Sequence, residues 1–224
     1  MSVLVFYGAP GSGKGTQSKL FVENDFYQHI STGDIIRASI ANHANDPVAS
    51  EVKKVVDSGK LVSDSLIYDL LDNHLKNLNH VDKLIFDGFP RNKNQFDIFQ
   101  QLVDQHNLAN VVGVLVNVND DTIIKRLTGR IICTKCKAVY NKYFNKPTNN
   151  SCSNCGNDEF VTRSDDTEAV IKDRIDLFNQ ETKPTLAKFA HLYKYHAVNG
   201  EQEPKLIYQE ISRKLTIDNQ LKNH

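Results

Sequence analysis

Residues 3–17 read VLVFYGAPGSGKGTQ, and no other stretch of the chain restricts the fold as tightly. Val3 to Tyr7 is a short apolar run rich in β-branched residues, the pattern of a buried strand. Four glycines follow within eight residues, and Gly8-x4-Gly13-Lys14 leads into a helix expected from about Thr16. Strand, glycine turn and helix in that order are the setting of a phosphate-binding loop. Glycines let the backbone wrap a polyphosphate with its N–H groups turned inward, and the helix N-terminus favours the anion. Lys14 adds a positive charge on a flexible stem. The loop departs from the usual pattern at Gly15, where a Ser or Thr would ligate Mg²⁺; Thr16 comes one residue later. The pattern leaves open whether the Thr16 hydroxyl takes that role.

The strand pattern recurs at Lys83 to Phe86 and Val111 to Val118, with a weaker instance at Ala197 and Val198. Helical patterns fill the intervals, at about Gly33–Ala44, Ser50–Ser58, Ser63–Leu78, Asn94–His106, Asp120–Gly129, Thr167–Lys188 and Pro204–Leu215. Strands alternating with helices imply an α/β fold with a parallel sheet. The 224 residues suffice for one large domain with insertions or two small ones, and they can bury a core without disulfides. A formal net charge of zero gives no overall pull toward nucleic acid or an anionic membrane. No apolar run approaches the roughly 20 residues of a spanning helix. The N-terminus lacks the basic region and cleavage site of a signal peptide, so a cytoplasmic location is expected. The polar tail DNQLKNH is expected to fray.

Directly after the strand KLIF comes DGFPR, Asp87 to Arg91. An acid at the carboxyl end of a strand beside a phosphate loop is where Mg²⁺ would be held through its waters. The cations divide unevenly, twenty Lys against seven Arg, so the general surface charge is lysine. Arg37, Arg91, Arg126, Arg130, Arg163 and Arg174 lie beside expected loop–helix junctions, and planar guanidinium groups suit phosphoryl oxygens better than ammonium does. Arg126 and Arg130 are four apart on one expected helix face, where like charges repel unless an anion lies between them. Arg163 and Arg174 would share a face if their helix began early enough. Asp165 and Asp166 suit a helix N-terminus and could also orient nearby guanidinium groups.

All four cysteines fall between residues 133 and 155, as C-x2-C-x15-C-x2-C. That spacing, without disulfide-forming conditions, reads as a Zn²⁺ site. No His occurs between His106 and His191, which leaves Cys133, Cys136, Cys152 and Cys155 as the ligand set. Four protein ligands fill a tetrahedron, so the metal is structural. The stretch also carries Lys135, Lys137, Lys142 and Lys146, expected to be solvated, and Tyr143 and Phe144, expected to pack.

GAPGSGKGTQ, STGDIIRA (31–38), GKLVSD (59–64), DGFPRNKNQ (87–95), RLTGR (126–130) and RSDD (163–166) occur in this order. Together they make the chain resemble adenylate kinase, in the long bacterial form with a metal-binding lid, over essentially its whole length. The resemblance implies a P-loop NTPase-type parallel sheet flanked by helices. Residues 1–31, 63–130 and 163–224 would be the core, 32–62 a small helical AMP-binding insertion, and 131–162 a zinc-ribbon lid. It implies Mg²⁺-dependent transfer of the γ-phosphoryl of ATP to AMP, giving two ADP. Gly11, Ser12, Gly13, Lys14, Gly15 and Thr16 would hold the ATP phosphates. Arg130, Val139 and Tyr140 would touch ATP from the lid, and Gln202 its base through the backbone. Thr32, Arg37, Lys60, Leu61, Val62, Gly88, Arg91, Gln95, Arg163 and Arg174 would form the AMP site, Gln95 on the adenine. Arg163 and Arg174 would close on the transferring group, and Arg126 would bind phosphate. Lys14, Arg91, Arg126, Arg130, Arg163 and Arg174 would carry the catalysis, with Asp87 on Mg²⁺ through water.

Phosphoryl transfer needs alignment and charge neutralisation, so no covalent intermediate and no strong base are expected. The enzyme must exclude water before it reacts, which requires 32–62 and 131–162 to move. The partners expected are the nucleotides alone, with no nucleic acid and no membrane, and the chain is expected to act as a monomer. Two other readings share these features: a UMP or CMP kinase, and an ATP-dependent nucleic-acid binder that grips through its zinc ribbon.

Overall fold

The computed structural model describes residues 1–42, 47–78 and 82–220. The end of the first expected insertion helix, at His43 and Ala44, and the last four residues of the tail lie outside them.

Five parallel strands form the central sheet: β1 (Ser2–Tyr7), β2 (Gln28–Ser31), β3 (Lys83–Asp87), β4 (Val111–Asn117) and, last in the chain, the strand Lys194–Asn199. The order across the sheet is β2, β3, β1, β4, then that last strand. Helices α1 (Lys14–Asp25), α2 (Thr32–Asn42), α3 (Pro47–Asp57), α4 (Asp64–Lys76), α5 (Lys93–Gln105) and α6 (Asp120–Thr128) alternate with the first four strands. The cysteine block then supplies β5 (Arg130–Cys133), β6 (Val139–Asn141) and β7 (Phe160–Val161), antiparallel in the order β6, β5, β7. Helices α7 (Glu168–Leu177) and α8 (Lys183–Leu192), joined by a wide helical turn at Phe178–Thr182, lead to β8, the strand Lys194–Asn199, and to α9 (Pro204–Gln220).

β1 is the axis of the fold and is buried from Val3 to Tyr7 because both faces of a parallel sheet are covered. Its residues alternate between two cores, as a strand's period of two requires. Val3, Val5 and Tyr7 enter an aromatic core with Phe86, Phe96, Phe99 and Phe189; Leu4 and Phe6 enter the other with Phe21, Val198, Ile207 and Ile211. The Phe86 and Phe99 rings meet edge-on at 5.5 Å between centroids. Gly113 in β4 makes room for Phe189, since a Cβ there would lie 2.5 Å from the ring.

The structure corrects several boundaries. β2 was not legible, because only Ile30 of its four residues is buried. α1 begins at Lys14, within the glycine loop itself. α6 ends at Thr128 and Arg130 opens β5, so Arg126 and Arg130 do not share a helix face. α7 begins at Glu168, which leaves Arg163 in the loop before it, off the face of Arg174. α9 runs through Asp218–Gln220, and Asp218 is buried against His196 and Lys194 rather than frayed. Tyr143 and Phe144 are largely exposed, their ring centroids 6.3 Å apart, with the Tyr143 ring over Gly129.

Candidate active site

The glycine loop and Asp87 lie at the carboxyl ends of adjacent parallel strands, where open α/β sheets place ligands. Gly13 caps α1 with φ 104°, a left-handed conformation that favours glycine. Lys14 Nζ is parked on the loop's own carbonyls, donating to Gly8 O at 2.7 Å and Ala9 O at 2.9 Å. Burial pushes Lys14 down to about 8, Asp87 pulls it up, and Arg91, Arg174 and Arg130 push it down further. Ser12 is buried, while Thr16 stands exposed on the first turn of α1.

Asp87 faces this turn: a Cβ on Gly15 would lie 3.6 Å from its Oδ2. Burial raises the Asp87 carboxyl, but a hydrogen bond from His29 and the charges of Lys14 and Arg91 outweigh it and hold the group below the ordinary carboxylate value. His29 Nε2 lies 3.3 Å from Asp87 Oδ2. Sequence reading had no means to find His29, because the strand that carries it was itself missed. A charged carboxylate beside the phosphate loop suits a hydrated Mg²⁺.

One cavity collects Thr32, Arg37, Lys60, Leu61, Val62, Gly88, Arg91, Gln95 and Arg174, drawn from four separate stretches of sequence. Arg163 is not in its lining. Ile36, Val56 and Ile67 add apolar wall, and Asp165 a carboxylate. Thr32 donates to Gly88 O at 3.0 Å, and Arg91 Nε to the same carbonyl at 2.5 Å. Asn92 caps α5 by accepting from the Gln95 N–H at 2.8 Å.

The guanidinium groups crowd one another. Burial, then Arg174, pushes Arg91 down to about 10; burial, then Arg130 and Arg37, does the same to Arg163. Burial and Arg130 lower Arg174 against the opposing pull of Asp165. Asp165 takes Arg174 at 2.7 Å, and Asp166 takes Arg130 through two hydrogen bonds. The two acids thus orient guanidiniums as their place in the sequence suggested. Asp34 pairs with Arg37 and lies 3.9 Å from Arg163. A cluster of converging, mutually repelling cations is a site for a polyanion.

Arg126 turns the other way, donating to Ser12 O at 3.2 Å and Gly200 O at 2.9 Å. It ties the phosphate loop to the loop that carries exposed Gln202. Glu201 fastens that loop to the start of α6, accepting from Asn119 N at 2.8 Å and Thr122 Oγ1 at 3.1 Å.

The four cysteine Sγ atoms lie within 4.8 Å of one another. Cys133 and Cys155 are 3.6 Å apart and Cys136 and Cys152 3.4 Å, close to the roughly 3.8 Å edge of a tetrahedron with Zn–S bonds of about 2.3 Å. The donor set therefore fits Zn²⁺. Tyr140 is buried, its hydroxyl 3.3 Å from Cys152 Sγ and 2.8 Å from Ser153 Oγ, and this contact leads in holding Cys152 down at about 6. The Tyr140 hydroxyl is thus held at Cys152 and Ser153, and its ring packs edge-on against Phe160 at 5.6 Å between centroids. Val139 beside it is exposed, as are Lys135, Lys137, Lys142 and Lys146.

Comparison with known proteins points to one family. The family model described as adenylate kinase matches residues 6–194. The adenylate kinase of Limosilactobacillus reuteri is 36% identical over 214 residues, covering 95% of this chain and 98% of its own. That of Lactobacillus johnsonii is 36% identical over 219 residues, with 96% and 99% covered. That of Rickettsia bellii is 34% identical over 217 residues, with 96% and 100% covered.

Proposed function

The chain belongs to the adenylate kinase family and is a phosphotransferase for ATP + AMP = two ADP; from that premise we propose how its residues divide the work. AMP occupies the cavity between α2, α4 and α5, its base against Gln95 and its phosphate toward Arg37, Arg91 and Arg174. ATP lies with its phosphates on Gly11 to Thr16 and its base on the loop of Gln202. Arg126 and Arg130 hold ATP from either side, Arg130 reaching in from the foot of the lid. The observation that carries this reading is the one cavity lined by nine of the ten residues assigned to AMP.

Chemistry follows from placement. The cations neutralise charge on the phosphoryl oxygens as the group passes between nucleotides, and no side chain needs to attack. Asp87 would hold Mg²⁺ bound with ATP, and the ion would supply further neutralisation of the phosphates. Segments 32–62 and 131–162 close on the nucleotides to keep water out. Cys133, Cys136, Cys152 and Cys155 hold a structural Zn²⁺, which gives the lid a shape its small apolar content cannot maintain alone. The chain works as a monomer on free nucleotides in the cytoplasm, where cysteines spaced as C-x2-C stay reduced and ligate metal.

A coupled assay of ADP formation with Mg²⁺, offering AMP, UMP, CMP and GMP in turn, tests the reading. AMP is expected to be strongly preferred. Preference for UMP or CMP would overturn the base assignment. Salt-sensitive tight binding to DNA or RNA without AMP-dependent turnover would overturn the whole.

A further inference from the structure

Gln95 is 2% exposed, and its side-chain amide has two protein partners of opposite kind. The Arg91 backbone N–H donates to Gln95 Oε1 at 2.9 Å, and Gln95 Nε2 donates to Asp64 Oδ1 at 3.0 Å. A backbone N–H can only donate, and a carboxylate can only accept. The two partners therefore fix which end of the amide is oxygen and which is nitrogen. Asp64 is itself held: it opens α4, where a helix N-terminus favours a carboxylate, and it lies 3.5 Å from Asn92 Nδ2.

We propose that Asp64 is a positioning residue for base specificity, acting through Gln95 to make the AMP cavity accept a 6-aminopurine and reject a 6-oxopurine. The proposal rests on the reading above that Gln95 faces the base. With both anchors made, the amide keeps one N–H and one oxygen lone pair. A 6-aminopurine offers an acceptor at N1 beside a donor at position 6. A 6-oxopurine offers the reverse, a donor at N1 beside an acceptor. An anchored amide matches one of these patterns; an amide free to turn by half a revolution matches both. Against the wrong pattern donor meets donor and acceptor meets acceptor, and buried polar groups left unpaired are what give a site strong discrimination.

Adenosine and inosine monophosphates isolate this difference, since they differ only at position 6 and in the N1 proton. The experiment measures kcat/KM for each, with ATP as donor, in the native protein and in Asp64→Ala, Asp64→Ser and Gln95→Ala. A serine at this position suits a helix start but is too short to reach Nε2, so it keeps the test informative should the alanine variant fold poorly. Both Asp64 variants are expected to narrow the AMP-to-IMP ratio about tenfold, with kcat at saturating AMP within about twofold of native. An unchanged ratio, with both substrates weakened together, would overturn the proposal and leave Asp64 a helix-start residue. An unchanged ratio in Gln95→Ala would instead overturn the reading beneath it.

Discussion

Arg130 and Asp166 face each other in a two-bond fork, Nε to Oδ2 at 2.7 Å and Nη2 to Oδ1 at 2.5 Å. One stands where the cysteine block leaves the core and the other just past its return, so the pair ties the root of the lid. Both side chains are largely buried, at 16% and 3% exposure. Removing one partner of such a pair strands the other's charge. Asp166→Ala is expected to lower unfolding free energy by about 3 kcal/mol and to reduce turnover as Arg130 loses its aim. Urea denaturation and steady-state rates check this; an unchanged midpoint with native rates would show the fork to be dispensable.

Among the described residues Lys14 bonds two carbonyls of its own loop, so it is a charge contact and not part of the core. Lys14→Met is expected to reduce kcat by about 10²–10³-fold with the fold intact by circular dichroism. Activity near native would remove Lys14 from the phosphate site.

The same lysine makes the free protein sensitive to alkali. Burial lowers it from 10.5 to about 8, so it carries its charge below about pH 8 and loses it above. Specificity for ATP, which reports the free enzyme, is expected to fall as pH rises through about 8. Bound polyphosphate restores the charge and moves the limb higher in kcat. For stability the sign is opposite. The unfolded chain keeps this proton up to 10.5, so between those values it binds more protons and this group's contribution rises with pH; it is lost as pH falls through 8. A kcat/KM profile flat from pH 7 to 10 would show that another group governs binding.

The four thiols predict one metal per chain. Cys133→Ser with Cys136→Ser is expected to lose that ion by elemental analysis and to make residues 131–162 the first site of proteolysis. AMP affinity is expected to change little, because none of the four cysteines lines the AMP cavity. Native protein without a stoichiometric ion would refute the metal assignment.

Phe26 ends α1 in a left-handed conformation, φ 60°, and the residue is 84% exposed. Glycine adopts that conformation without Cβ strain. Phe26→Gly is expected to stabilise the fold by about 0.5–1 kcal/mol, after the entropy that glycine adds to the unfolded chain. A loss of stability in urea would mean that the ring makes contacts worth more than the strain.

Local pattern and tertiary structure divide this protein cleanly. The sequence alone determined the strand–glycine–helix loop, the four thiolates and the parallel sheet, because each depends on residues close together in the chain. A loop's conformation, a ligand spacing and a burial period are all local. Sequence order also carried the arginines, but not their geometry. Arg126 and Arg130 looked like neighbours on one helix, yet the chain leaves the helix at Gly129, and one guanidinium reaches Gly200 while the other takes Asp166. His29 gave no local signal, and Asp64 only its place at the end of the stretch GKLVSD. Their partners, Asp87 and Gln95, lie 58 and 31 residues away, and only the packing of β2 on β3 and of α4 beside α5 brings them together. What decides their roles is the direction of a hydrogen bond between distant segments, and that direction exists only after the chain has folded.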